Sequence, residues 1–223
     1  MTKEEKGGDN LTLHIFWDNS NIWGGAQATR VVKEPEVPQL ALRVYFRNLY
    51  ELVSAGREVT TKIMGGSVPP ESEALWEYAH ALGFNTDLLY RITDGQGQVR
   101  EQAVDEILHL KMANAVMDFE APQTMALLSG DGKMSKFNTS FPLQLERALK
   151  FGWNVEVYSW GTACNRKYSQ LAAANPDKMK LALLDERYNQ LTFVQGGEYY
   201  RRDQTTGEKI FFVVPSRVVQ SLG

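Results

Sequence analysis

Apolar positions along the 223-residue chain follow two alternating rhythms. Short runs rich in β-branched and aromatic residues read as strands. They are "LTLHIFW" (11–17), "EVTTKIMGG" (58–66), "FNTDLLYR" (84–91), "TMALLSGDG" (124–132) and "WNVEVYSW" (153–160). Between them the apolar period lengthens to that of an amphipathic helix. One helix is expected over 38–55, closed by Gly56, and one over 70–83, with acids near its start and Gly83 at its end. A long helix is expected over 99–119 after the flexible turn "DGQGQ", another over 141–152 with Pro142 near its start, and a last one over 165–175.

Strands alternating with helices over short connections specify an α/β fold. The expectation is a three-layer, Rossmann-like sandwich around a mostly parallel, five-stranded sheet. Residues 11–175 form this body, and "MTKEEKGGDN" (1–10) reads as a disordered leader. From 176 to 223 the rhythm changes: "NQLTFVQ", "GEYYRRD", "TTGEK" and "IFFVV" suggest a β-hairpin packed on the body. Such a hairpin serves as an edge cover or as an oligomer contact.

In parallel α/β sheets, ligands bind beyond the carboxyl ends of the strands. Two of the expected strands carry an acid there: Asp18 in "FWDNSNIW" and Asp131 in "LLSGDG". Each is also what a loop would use, since Asp, Asn and Ser form turns with their own backbone bonds. A third acid, Asp105, lies on the long helix. With Val104 at zero and about 100° per residue, Asp105 falls at the edge of the apolar stripe and Glu101 near its middle. Glu106, at about 200°, is expected to face water. Three carboxylates meeting at neighbouring strand ends would sit ~5 Å apart and repel by ~3 kcal/mol per pair at an effective dielectric of ~20. A divalent cation with oxygen ligands relieves that strain. The alternative is that the first turn of the helix juts past the sheet and its acids are solvated.

Composition narrows the chemistry. Hydrophobic residues make up 43% and charged residues 23%, as in ordinary globular proteins, and no apolar run approaches a membrane span. One cysteine, Cys164, leaves no intramolecular disulfide and no multi-thiolate zinc site. A reducing compartment is expected, cytoplasmic or nuclear. Three scattered histidines argue against a His-rich metal centre. A net charge of −3 argues against a general nucleic-acid coating protein, although total charge says nothing of its distribution.

Four stretches together resemble the NYN domain family of the PIN-like nuclease superfamily. "IFWDNSNI" is similar to the family's first motif, "AVDEIL" to its helix motif, and "LLSGDG" to its Ser-Gly-Asp strand end. "FPLQLERALKFGWNVEVYSWG" resembles the helix and strand that follow, and the likeness runs from about residue 11 to 175. It implies a ribonuclease that hydrolyses RNA phosphodiester bonds with Mg²⁺ or Mn²⁺. Asp18, Asp105 and Asp131 match the metal-binding acids, with Asn21 the polar residue beside the first. Two departures stand out. Where the family continues Ser-Asp-Phe, this chain inserts "GKMSKFNT", so that Thr139 or Ser140 takes the place of the acid, and Lys111 stands near another family Asp.

On this reading Asp18 and Asp131 hold the ion, Asp105 holds it directly or through water, and Asn21 and Ser20 fix water or phosphate, unless they only cap the turn. Lys133, Lys136, Arg166 and Lys167 are candidates for the RNA backbone, or else solvated surface. Trp23 and Trp160 are candidates for base stacking, with Trp17 assigned to the core. The expected partner is RNA, single-stranded or structured, with no membrane and a homo-oligomer through the hairpin as an option. Another reading keeps the fold without the activity: an RNA-binding or assembly module in which Lys133 or Lys111 replaces the metal. A phosphatase-like enzyme is less attractive, because the second Asp such enzymes need would fall at Ser20.

Overall fold

The computed structural model describes residues 11–68, 73–86, 89–90, 92–93, 99–100, 104–203 and 205–223. The leader, the turn at 94–98 and Glu101 lie outside the described residues. In chain order the elements are β1 (Leu13–Asp18), α1 (Asn19–Lys33), β2 (Leu42–Val44), α2 (Phe46–Ser54), β3 (Val59–Gly65) and β4 (Ser67–Val68). Next come α3 (Glu73–Ala81), β5 (Asn85–Thr86), β6 (Leu89–Tyr90), β7 (Ile92–Thr93), β8 (Val99–Arg100) and α4 (Val104–Asp118). The chain continues through β9 (Thr124–Leu128), α5 (Phe141–Lys150), β10 (Asn154–Ser159), α6 (Arg166–Ala174) and β11 (Met179–Leu183). It closes with α7 (Tyr188–Leu191), β12 (Thr192–Val194), β13 (Gly197–Arg202) and β14 (Lys209–Val214).

Six strands form the central sheet in the order β11-β10-β9-β1-β3-β5, every neighbouring pair parallel. All six residues of β1 are buried, as expected of a strand covered on both faces. Leu13, Ile15 and Trp17 point into one core, with Ile22, Ala26, Phe46 and Leu49 of α1 and α2. Phe16 points into the other, with Leu108 and Met112 of α4, Phe141 and Leu145 of α5, and Tyr168 of α6. Trp17 packs against Phe46 and Phe84, ring centroids 4.8 and 5.6 Å away, in agreement with its core assignment.

Several expected elements differ. Residues 19–33 form a helix where the pattern shows none, because Asp18 caps it and the burial of Gly25, Gln27 and Thr29 replaces a continuous apolar stripe. Residues 38–55 are not one helix: β2 pairs antiparallel with β12, and only Phe46–Ser54 is helical. Its end is set by Ala55, whose φ of 46° turns the chain left-handed. The long helix begins at Val104 among the described residues, since Val99–Arg100 pairs instead with β7. The strand expected over 84–91 is broken into β5 and β6, which pair with different partners. A sixth sheet strand, β11, lies beyond the boundary expected at 175.

The C-terminal hairpin is present, β13 on β14, joined to the body through Val214, Tyr199 and Phe212. Arg217 fastens the following segment to the far end of α1. Its guanidinium donates to both oxygens of Glu34 at 2.7 and 2.9 Å, while Tyr188 donates to Glu34 at 2.8 Å.

Candidate active site

The sheet order reverses direction at β1: the chain moves outward through β3 and β5, then returns to place β9 on the other side. Such a reversal opens a crevice at the carboxyl ends of the two strands. Asp18 ends β1, and Asp131 lies three residues past the end of β9. Asp105 reaches the same place from the first turn of α4. All three line one cleft of about 420 Å³, together with Ser20, Asn21, Glu106 and Lys133. Its remaining walls include Gly24, Gly25, Ala28, Val104 and Ala163.

Asp18 is only 3% exposed. Its Oδ1 accepts from the Asn21 backbone N–H at 3.0 Å, which caps α1, and its Oδ2 accepts from the Ser129 hydroxyl at 2.8 Å. Burial pushes its carboxyl up to about 7, with the charge of Asp105 adding to the rise and that of Asp131 a smaller contribution. The two hydrogen bonds act the other way and are outweighed. One carboxyl in "DNSN" thus both starts a helix and faces an acidic cleft.

The rest of the site is tied together through the backbone. Asn21 Oδ1 accepts from the Gly130 N–H at 2.6 Å, joining the start of α1 to the loop after β9. Ser129 Oγ also accepts from the Asp131 N–H at 3.1 Å, and Asp131 Oδ1 from the Lys133 N–H at 3.1 Å. Tyr168 donates to the Asp131 carbonyl, and Lys167 Nζ to that of Gly132 at 3.0 Å. Gly130 is required here by space: a Cβ would stand 2.2 Å from the Ala163 carbonyl oxygen and 2.4 Å from Ser159 Oγ.

Of the expected substrate contacts, Ser20 and Lys133 line the cleft; Lys136, Arg166, Lys167 and Trp23 do not. Lys136 and Arg166 are exposed, and Lys167 braces the loop. Trp160 is fully buried, 6.1 Å from Tyr188 and directly over Gly25, so it stacks no base. Glu106, expected to face water, is half-buried and lines the cleft from the first turn of α4. Thr139 and Ser140 do not replace an acid: Thr139 accepts from Gln144 at 2.8 Å, and Ser140 caps α5 through the Leu143 N–H. Lys111, half-buried, is not part of the cleft wall.

His109, one turn beyond Asp105, is a residue the sequence reading passed over. It is 3% exposed, stands edge-on to Phe141 at 4.4 Å, and among the described residues neither ring nitrogen has a hydrogen-bond partner. Burial lowers it to about 4, against the opposing charges of Glu106 and Asp131. Its spacing from Asp105 was the available signal.

The donor set suits a hard divalent cation. Every carboxylate offers oxygen, and Asp18 keeps one lone-pair site on each oxygen after its two bonds. Among the described residues, however, no three or more His, Cys, Asp or Glu side chains are drawn close enough to enclose an ion as they stand.

No family model matches the chain, and no curated protein matches it. Among solved structures it is similar to a protein of unknown function from Vibrio parahaemolyticus, with a TM-score of 0.55 and 17% identity. The likeness covers 81% of this chain and 98% of that one, and it shows a shared fold.

Proposed function

We propose that the chain is a metal-dependent ribonuclease of the NYN type, hydrolysing RNA phosphodiester bonds in the cleft between β1 and β9. The observation that carries this reading is the convergence of Asp18, Asp105 and Asp131 from three separate elements on one crevice, with Asp18 buried and its acidity weakened to about 7. A buried carboxylate held among other acids is costly unless a cation arrives. Asp18, Asp105 and Asp131 would hold Mg²⁺ or Mn²⁺, with Glu106 beside them. The ion supplies Lewis acidity and a more acidic water when bound.

The chain's own residues do the rest. Ser129 and the α1 N-terminus fix the Asp18 carboxylate in one orientation. Asn21 holds the Gly130 loop so that Asp131 faces the cleft. Lys133 offers a cation to a phosphate oxygen. The test is hydrolysis of labelled RNA with Mg²⁺, Mn²⁺ or chelator. Cleavage should require the divalent ion and vanish in Asp18→Ala; activity that persists in either control refutes the reading.

Lys133 in the cleft wall favours a second reading, in which the ammonium neutralises the acids and the chain binds RNA without cutting it. Tight RNA binding with no cleavage under any divalent ion selects that alternative.

A further inference from the structure

The insertion after Asp131 is built as a platform beside the cleft. It leaves the cleft at Lys133 and folds into a tight turn: the Ser135 N–H donates to the Thr139 carbonyl at 2.8 Å, and the Asn138 N–H to the Ser135 carbonyl at 3.1 Å. Asn138 takes a φ of 55°, a conformation its short polar side chain tolerates. Two more bonds brace the turn, from the Phe137 N–H to Ser135 Oγ at 3.2 Å and from Gln144 to Thr139. The turn raises Phe137 into solvent, 63% exposed, with Lys136 Nζ 5.1 Å from its ring centroid.

A large apolar side chain on a braced turn gains nothing from burial where it stands. What it offers is a flat π-face with the Lys136 ammonium beside it, a combination that suits single-stranded nucleic acids: bases stack on the ring and phosphates meet the ammonium. Phe137 lies four positions beyond Lys133, hence at most roughly 14 Å from it, or about four rises of a stacked strand at the outside. A duplex keeps its bases inside its own stack and would leave the ring uncovered.

We propose that Phe137 stacks on a base of single-stranded RNA a few nucleotides from the cleft, with Lys136 and Lys133 on the intervening phosphates. This rests on the ribonuclease reading for the identity of the cleft. It adds that the substrate enters unpaired and that the insertion selects it.

The test is binding of a fluorescein-labelled 12-nucleotide RNA and of its duplex, in chelator so that no cleavage intervenes. Wild-type protein should prefer the single strand. Phe137→Ala should weaken that binding by roughly 5- to 150-fold, Phe137→Leu almost as much, and Phe137→Trp little or not at all. Duplex binding should not change. Thermal melting of each variant should match wild type, as an exposed ring predicts. Single-strand binding that ignores Phe137→Ala, or tolerates Leu as well as Phe, overturns the stacking role and leaves the ribonuclease reading standing. A wild-type protein that binds no RNA overturns both. A dimer that Phe137→Ala disperses, with RNA binding unchanged, assigns the ring to a second copy instead.

Discussion

Two carboxylates on the same sheet have opposite fates. Glu156, the third residue of β10, is half-buried, and burial alone would push it up. Arg57 reaches it with two parallel bonds of 2.8 Å, and Tyr158 adds a third of 2.8 Å, so its carboxyl is held below the usual range. Asp18 is more deeply buried, accepts from neutral donors among the described residues, and feels the charges of Asp105 and Asp131. The first is a closed electrostatic unit that stabilises the fold. The second is an open one, which keeps its proton up to about pH 7. Glu156 is satisfied by the chain itself, whereas Asp18 has the perturbed environment that a functional site would provide.

Four measurements sharpen or break this contrast. The largest effect is expected on activity: Asp18→Asn should lower RNA cleavage on the order of a thousandfold, since a neutral amide binds a divalent ion poorly. The same substitution should stabilise the apo protein. Asp18 in the fold keeps its proton up to about pH 7, whereas the unfolded chain loses it near pH 4. Wild-type stability from this group is therefore full below pH 4 and falls as pH rises to 7. Asp18→Asn should gain on the order of 4 kcal/mol above pH 7 and nothing at pH 4, read by denaturant melts across that range.

The opposite sign applies to Glu156. Arg57→Met should cost about 2 kcal/mol at pH 7, discounted because both side chains keep some exposure. That loss should fade in acid, once Glu156 is protonated in both states. The smallest effect is a thermal shift. Mg²⁺ or Mn²⁺ at ten times its Kd should stabilise the wild type by about 1.4 kcal/mol at pH 8 and leave Asp18→Asn unmoved. Equal shifts in both proteins would mean that the acids do not share the ion. His14 and His109, both lowered to about 4 by burial, act against folding as pH falls from 6.5. They oppose the Asp18 trend in wild type, and comparison with the Asn variant separates the two.

The parallel strands were legible because β1 and β9 are apolar runs ending in turn residues, the form a doubly covered strand must take, and β10 alternates around Val155 and Val157. Helix α1 was not. Its sequence, "NSNIWGGAQATRVVK", has two glycines and several buried polar groups, and its helicity comes from Asp18 at its start and Trp160 closing over Gly25. Strand β2 was hidden in an amphipathic pattern, since three residues paired to β12 have no period of their own. Strand β11 was missed because "MKLAL" sits at a half-exposed sheet edge. In the cleft, strand ends pointed to Asp18 and Asp131, whereas Glu106 sits in the first turn of α4, and an angular wheel does not say what lies beyond a helix end.

The grip of Arg217 on Glu34 reaches further than the hairpin it follows. Helix α1 spans about 22 Å, with the cleft's Ser20 and Asn21 at one tip and Glu34 just past the other. One tip is pinned by Asp18, the other by an arginine nearly two hundred positions later. Cutting the chain before residue 215 would therefore loosen the cleft from behind, as a beam sags when its distant bearing is withdrawn.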